Sequence, residues 1–181
     1  MSRKIFLAAF VAFAALTVSA EGFKDPDFEL SPAGQLKKWS GGPWILLTQK
    51  DIKAEIIADA SRAYSGKQYL FISNPDKLAI MVGGFPRIDK QPGKRYILTC
   101  HARGTAKLSI RFLRDDSKMK SRPWDPKSAH PAVRLTPDKW TEQTWAYVPQ
   151  EDDAKLYIGL AVSEGDAEID GMSLKVEDIA K

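Results

Sequence analysis

Short runs of alternating hydrophobic and polar residues recur along the chain, and clusters of Gly, Pro and Asp separate them. Alternation with a period of two places successive side chains on opposite faces of an extended backbone, which is typical of a half-buried β-strand. The segments with this pattern are AEIIADA, QYLFIS, LAIMVG, RYILTCHAR, AKLSIRFL, TEQTWAYV, AKLYIGLAV and AEIDGMSLKV. Many short strands separated by turns predict an all-β fold, either a β-sandwich or a jelly roll.

Two neighbouring segments, RYILTCHAR and AKLSIRFL, flank a predicted tight hairpin turn in which Gly104 supplies a positive φ. If the two segments pair, one set of side chains points into the core: Leu98, Cys100, Leu108, Ile110 and Phe112. The residues that then share the opposite face are Thr99, His101, Arg103, Ser109 and Arg111. Imidazole and guanidinium groups can bond hydroxyl groups or clamp a carboxylate, so this face is one candidate ligand site. The alternative is a solvated sheet face.

Two tryptophans are candidates for ligand binding, because an exposed aromatic face is a surface on which a ligand can stack. Trp124 is flanked by prolines in the long irregular segment between about residues 115 and 137, and a loop of that length often carries function. The alternative is that Trp124 anchors its own loop. Trp44 follows a Gly-Gly-Pro turn and is expected near a loop tip.

The first 20 residues, MSRKIFLAAFVAFAALTVSA, combine a basic start, an apolar run and small residues before a predicted cleavage site. We predict a secretory signal peptide over residues 1–20, because the apolar run is too short to span a bilayer. The remaining residues, 21–181, have the length of one domain, which we expect to be extracellular or periplasmic without a membrane span. Without Arg3 and Lys4 the net charge falls from +4 to about +2, which argues against a nucleic-acid partner.

The sequence offers little for catalysis. Cys100 is the only cysteine and alternates with hydrophobic residues, which indicates a buried, inert thiol. The only histidines are His101 and His130, and no G-x-S-x-G or H-E-x-x-H motif is present. We therefore predict a protein that is not an enzyme. The least favoured alternative is an enzyme that uses His101 beside Arg103 and Arg111, a set that resembles the one in some polysaccharide lyases.

Several short motifs occur in an order that is similar to one known superfamily. They are DPDFEL, WS, AYSGKQYLFIS, QPGKRYILTCHARG, KWTEQTWAYV and AEIDGMSLKV, and together they cover nearly all of the chain after residue 20. In this order and spacing they resemble the landmarks of carbohydrate-binding modules with the galactose-binding-like jelly-roll fold. Each motif alone is weakly specific, whereas the ordered set is specific for the fold. The resemblance is less specific for a ligand, since one scaffold serves many binding roles.

The resemblance implies a structural calcium ion where the first and last strands meet. The matching carboxylates are Glu29 of DFEL and Asp170 of AEIDGMSL, with Asp27 close by. Backbone carbonyls around Ser65 and Lys67 would complete a shell of oxygen ligands, which suits calcium better than zinc or copper. A charge-paired or edge-strand Asp170 is the alternative, and a glycine follows Asp170 where the family often has a second acid.

The function that the resemblance implies is non-catalytic binding of a polysaccharide or glycan by a secreted jelly-roll module. The partners expected for such a module are a separately encoded secreted enzyme or a component of the cell surface. The alternative is a secreted protein-interaction module that has kept the fold and lost the sugar.

Overall fold

The computed structural model describes residues 23–37, 43–46, 52–89, 91–115, 131–149 and 155–179. These residues form β-strands, turns and loops, and none of the described segments forms a helix that could cross a membrane. The strands are β1 (Gly34–Gln35), β2 (Trp44–Leu46), β3 (Lys53–Ala58), β4 (Gln68–Asn74), β5 (Ile80–Asp89), β6 (Lys94–Gly104), β7 (Lys107–Asp115), β8 (Val133–Arg134), β9 (Thr141–Tyr147), β10 (Lys155–Ser163) and β11 (Gly165–Asp178). The predicted signal peptide lies outside the described residues.

The strands form two antiparallel sheets that pack face to face as a β-sandwich. One sheet has six strands in the order β1-β3-β4-β11-β6-β9, and the other has five in the order β2-β5-β10-β7-β8. Many neighbours in each sheet are distant in sequence, and the last strand, β11, lies at the centre of the six-stranded sheet between β4 and β6. The all-β sandwich predicted from the alternating segments is therefore confirmed.

The alternation of side chains explains how the sheets share one core. Along β6, Leu98, Cys100 and Ala102 are buried between the sheets, while the residues between them face outward and are partly exposed. The five-stranded sheet contributes residues such as Leu108 and Ile110 of β7 to the same cluster. Burial raises the pKa of the Cys100 thiol to about 12, which agrees with the inert thiol predicted from the sequence.

The predicted hairpin between β6 and β7 is wrong. β6 pairs with β11 and β9, whereas β7 pairs with β10 and β8, so the two strands lie in opposite sheets. The chain crosses from one sheet to the other at Gly104, which has a φ of 138°. A Cβ at this position would overlap the carbonyl oxygen of Asp166, so the close approach of the two backbones requires glycine here.

Candidate functional site

The loop of residues 59–67, which joins β3 to β4, folds back over the outer face of the six-stranded sheet. Its first turn is built around Asp59, whose carboxylate accepts hydrogen bonds from the hydroxyl and the N–H of Ser61 at 2.6 and 3.0 Å. The bond from the hydroxyl lowers the pKa of Asp59. The carbonyl oxygen of Asp59 also accepts the N–H of Arg62 at 3.1 Å. This compact turn places the following residues over β11 and β6.

Glu168 of β11 ties this loop to the sheet through two arginines. Glu168 is only 7% exposed, and its Oε2 accepts a hydrogen bond from Nε of Arg103 at 2.7 Å and forms a salt bridge with Nη2 at 2.6 Å. Its Oε1 accepts a hydrogen bond from Arg62 of the loop. Arg103 lies opposite Glu168 in the register of β6 and β11, and it also donates to the carbonyl oxygen of Arg62 at 3.0 Å. One buried carboxylate therefore pairs with both guanidinium groups.

Three rings lie together beside this ion cluster. The ring of Tyr64 stacks on the imidazole of His101, with 3.6 Å between ring centroids and 10° between planes. Trp140 meets the ring of Tyr64 edge-on at 6.0 Å, and its indole N–H donates to the carbonyl oxygen of Arg62 at 3.2 Å. The guanidinium of Arg103 lies 4.6 Å from the centroid of Trp140. We call Tyr64, His101 and Trp140 the aromatic cluster.

The aromatic cluster faces solvent on one side. Tyr64 is 47% exposed, and His101 and Trp140 are partly exposed. Glu142, the residue opposite His101 on β9, is exposed next to the cluster. An exposed phenol ring held on a rigid base, with charged and hydrogen-bonding groups around it, can stack on an apolar sugar face and bond the surrounding hydroxyls.

Asp170 of β11 is completely buried under the end of the same loop. Its Oδ2 accepts the N–H groups of Tyr64 and Ser65, both at 2.9 Å, and its Oδ1 accepts the N–H of Gly171 at 2.7 Å. Burial raises the pKa of Asp170, and the three hydrogen bonds oppose that rise. The aspartate in the middle of this strand therefore fixes the backbone that carries Tyr64.

Glu29 binds the same loop one turn further on. Its Oε1 accepts the N–H groups of Lys67 and of Gln68, the latter at 2.8 Å. Gly66 has a φ of 62°, and a Cβ at this position would overlap Glu29 Oε1. The glycine therefore allows the carboxylate to lie directly over the turn.

These contacts do not fit the calcium site that the resemblance implies. A calcium ion needs about six to eight oxygen ligands, whereas the loop presents N–H groups to both carboxylates. Asp27 is exposed, and within the described segments no three His, Cys, Asp or Glu side chains converge on a point that could hold a metal ion. The resemblance implies that backbone carbonyl oxygens around Ser65 and Lys67 bind the ion. In the structure, the N–H groups of these two residues donate hydrogen bonds to the carboxylates.

The sheet-face site predicted from the sequence is divided between the two sheets. His101 and Arg103 lie together on the outer face of β6, as predicted, with Thr99 two residues before His101. Arg111 lies opposite Gly159 in the five-stranded sheet, and Ser109 lies opposite Ala161. The predicted joint face is therefore wrong, because the chain changes sheets at Gly104.

Trp44 does not lie at a loop tip, which corrects the expectation from its Gly-Gly-Pro turn. It belongs to β2 and is 3% exposed, and its indole N–H donates to the carbonyl oxygen of Asp25 at 2.7 Å. Its ring stacks on Phe23 and packs against Phe28. The remaining exposed edge lines a small pocket of about 230 Å³, together with Leu36 and other residues of this corner. Trp124 lies outside the described residues.

Three members of the site were missed by the sequence analysis. Tyr64, Trp140 and Arg62 are not among the candidate ligand residues that the sequence indicates. All three depend on contacts between the 59–67 loop and residues more than 35 positions away, so local patterns do not indicate these contacts. The only local signal is the position of Tyr64 beside Gly66.

The geometry does not assemble the catalytic set considered for a lyase-like enzyme. That set needs His101 between two guanidinium groups, but Arg111 belongs to the opposite sheet and Arg103 is paired with Glu168. Nδ1 of His101 is buried and has no hydrogen-bond partner among the described residues. The imidazole instead forms the flat surface on which the ring of Tyr64 stacks.

No protein-family model matches the chain, and no curated protein matches it. Solved structures do resemble it. The CBM22-1 xylan-binding domain of Paenibacillus barcinonensis Xyn10C superposes with a TM-score of 0.56 at 16% sequence identity, over 82% of this chain and 95% of that domain.

Two further structures give the same picture. TmCBM61, solved in complex with β-1,4-galactotriose, has a TM-score of 0.53 at 18% identity and covers 85% of this chain and 97% of its own. A CBM4 module has a TM-score of 0.57 at 19% identity, over 86% of this chain and 99% of its own. At these identities the likeness establishes the fold, while the ligand has to be argued from the site. The chain thus has the galactose-binding-like jelly-roll fold that is found in carbohydrate-binding modules of families 22, 61 and 4.

Proposed function

We propose that this protein is an exported, non-catalytic carbohydrate-binding module that binds a polysaccharide chain on the aromatic cluster. The observation that carries the proposal is the half-exposed ring of Tyr64, which is held from below by His101 and through its backbone by Asp170. A ring fixed in this way loses little conformational entropy when a sugar stacks on it, so more of the contact energy remains as affinity.

The charge around the cluster favours a neutral glycan. Arg62 and Arg103 are both paired with Glu168, while Asp170 and the exposed Glu142 add negative charge close to the rings. A uronate carboxylate would have to displace Glu168 to reach Arg103, and it would face Glu142. Clamping of an acidic glycan by Arg103 and Arg111, one of the options considered from the sequence, therefore receives no support from this arrangement.

The main alternative is a protein-interaction module on the same fold. An apolar docking patch would favour it, whereas Tyr64 contacts the imidazole of His101 as well as the ring of Trp140, and the exposed Glu142 lies opposite His101 on β9. Polar neighbours that can bond hydroxyls favour sugar recognition. Trp124 remains a proposed second contact for a longer glycan chain.

The experiment is binding of the protein to a panel of matched neutral and carboxylated polysaccharides, measured by affinity electrophoresis and then by calorimetry on any hit. The pairs include hydroxyethyl cellulose with carboxymethyl cellulose, and methyl-esterified pectin with the same pectin after de-esterification. We expect a neutral member to bind, and its carboxylated partner to bind more weakly. A blank panel with protein shown to be folded by circular dichroism would instead favour the protein-interaction module.

A further inference from the structure

We propose that Glu29 and Asp170 close the 59–67 loop onto the sandwich by themselves, as a clasp of backbone N–H groups on carboxylates that works without a cation. The residues aligned with a calcium site in similar folds thus have a different role in this chain. The proposal concerns folding and stability and is independent of which glycan is bound.

The first half of the clasp is Asp170. Its side chain leaves the centre of the six-stranded sheet and meets two successive N–H groups of the loop, those of Tyr64 and Ser65, at 2.9 Å each. Successive N–H groups that converge on one oxygen form an anion-binding concavity, and the anion here is supplied by the protein itself. Hydrogen bonds from N–H groups to an ionised carboxylate are among the stronger ones in proteins.

The second half is Glu29, which repeats the arrangement three residues further along the chain. Lys67 and Gln68 both direct their N–H groups to Oε1 of Glu29. Gly66, at the centre of this turn, leaves the space that the carboxylate fills. Two carboxylates from opposite ends of the sequence therefore bind four N–H groups between residues 64 and 68.

A cation and this clasp make opposite demands on the same backbone. A calcium ion would need carbonyl oxygens turned toward it, while the N–H groups observed here present their positive ends to the carboxylates. Oxygen Oδ2 of Asp170 and Oε1 of Glu29 each already accept two hydrogen bonds, which is the usual capacity of a carboxylate oxygen. An ion at either of these two oxygens would therefore have to break a hydrogen bond of the clasp.

The test is thermal unfolding of the protein after dialysis against EGTA, with and without about 5 mM calcium chloride. We expect the two midpoints to agree within ~1 °C, because a ligand stabilises the folded state only if it binds that state. We also expect protein unfolded in urea to refold fully in EGTA. A midpoint raised by calcium beyond that margin, or refolding that needs calcium, would overturn the proposal.

Two variants make the test specific. Glu29→Gln removes the charge and an acceptor oxygen at constant size, and we expect it to lower the midpoint by several degrees, equally in EGTA and in calcium. Asp27→Asn is the matched control, since Asp27 was a candidate ligand but lies exposed beside the clasp. We expect Asp27→Asn to leave the midpoint unchanged in both solutions. If either variant lowered the midpoint only in calcium, the residues would be metal ligands and the clasp would be refuted.

Discussion

The ring of Tyr64 and the imidazole of His101 lie parallel, 3.6 Å apart between ring centroids. They come from different elements, the 59–67 loop and β6. Asp170 of β11 connects the same two residues through a second set of contacts. Asp170 is the cross-strand neighbour of His101 and accepts the N–H of Tyr64. Both the side chain and the backbone of Tyr64 are therefore fixed by two adjacent residues of one sheet, which makes the exposed phenol ring a rigid surface feature.

Removing the ring should abolish most of the proposed glycan binding without unfolding the protein. We expect Tyr64→Ala to weaken affinity for the best neutral polysaccharide at least tenfold, which corresponds to about 1.4 kcal/mol. The melting temperature should change little, because the ring is half exposed and its backbone contacts with Asp170 remain. Calorimetric titration and thermal unfolding measure the two quantities on the same samples.

Tyr64→Phe is the control for this experiment. It keeps the face that stacks on a sugar and removes only the hydroxyl, so its affinity should stay within a few-fold of the original. Equal loss in Tyr64→Ala and Tyr64→Phe would assign binding to the hydroxyl and not to the ring face. Unchanged affinity in Tyr64→Ala would move the sugar site away from the aromatic cluster, with Trp124 as the next residue to replace.

Glu168 should matter far more for stability than Glu177, a partly exposed glutamate with similar pairing. Glu168→Gln leaves Arg103 and Arg62 without their shared carboxylate, and disruption of a buried ion pair typically costs about 3 kcal/mol. Urea unfolding measures this loss. Glu177 is the control, since it pairs with Arg95 and Lys175 at the surface. Glu177→Gln should leave the unfolding midpoint nearly unchanged, and equal effects of the two substitutions would contradict the argument.

Most of the strands could be predicted because a strand with one face buried between two sheets alternates hydrophobic and polar residues along its own sequence. Segments such as AEIDGMSLKV and RYILTCHAR alternate for most of their length, and they form β11 and β6 as predicted. The short strands β1, β2 and β8 were missed, since two or three residues cannot show a period. The hairpin at Gly104 failed for a related reason. A glycine turn between alternating strands looks the same whether the next strand pairs with the last one or crosses the sandwich.

Of the candidate functional site, only the residues that lie on the single strand β6 were predicted from the sequence. Alternation along β6 placed His101 and Arg103 on one face, and the structure confirms that. The residues that complete the cluster arrive through tertiary contacts, as Arg62 does through Glu168 and Tyr64 through Asp170. The resemblance implies a calcium ligand at Asp170, whereas its carboxylate accepts N–H groups of the loop. The partners of this carboxylate depend on which way a peptide group turns, and a sequence pattern does not determine that.

The crossing between the sheets should be intolerant of any side chain. We expect Gly104→Ala to destabilise the protein by at least about 3 kcal/mol, because it adds a backbone clash to a strained φ. Gly93 provides a matched control, since its φ is 70° and nothing lies within 4 Å of an added Cβ. Gly93→Ala should lower the free energy of unfolding by only about 1 kcal/mol, which is the usual effect of a non-glycine residue in the left-handed conformation. Denaturant unfolding of both variants tests the difference, and similar losses would show that the clash at Gly104 is relieved by a small shift.

The ion pairs that attach the turn between β10 and β11 to Lys107 and Arg134 should weaken in acid. Glu164 accepts hydrogen bonds from Lys107 at 2.8 Å and from Arg134 at 2.9 Å, and these bonds, that from Lys107 above all, lower the pKa of Glu164. A carboxyl whose pKa is lower in the folded state stabilises that state above its unfolded pKa. This contribution is lost as the pH falls through the folded pKa.

Unfolding midpoints measured between neutral pH and about pH 3 test the contribution of the Glu164 ion pairs, because that range spans the ordinary pKa of a glutamate. We expect the midpoint of the protein to fall toward acid, and Glu164→Gln to reduce that fall, since glutamine does not titrate. The two proteins should differ most at neutral pH and converge in acid, where Glu164 is protonated. A constant difference at every pH would show that Glu164 acts through its shape and its left-handed backbone, with a φ of 57°, and not through its charge.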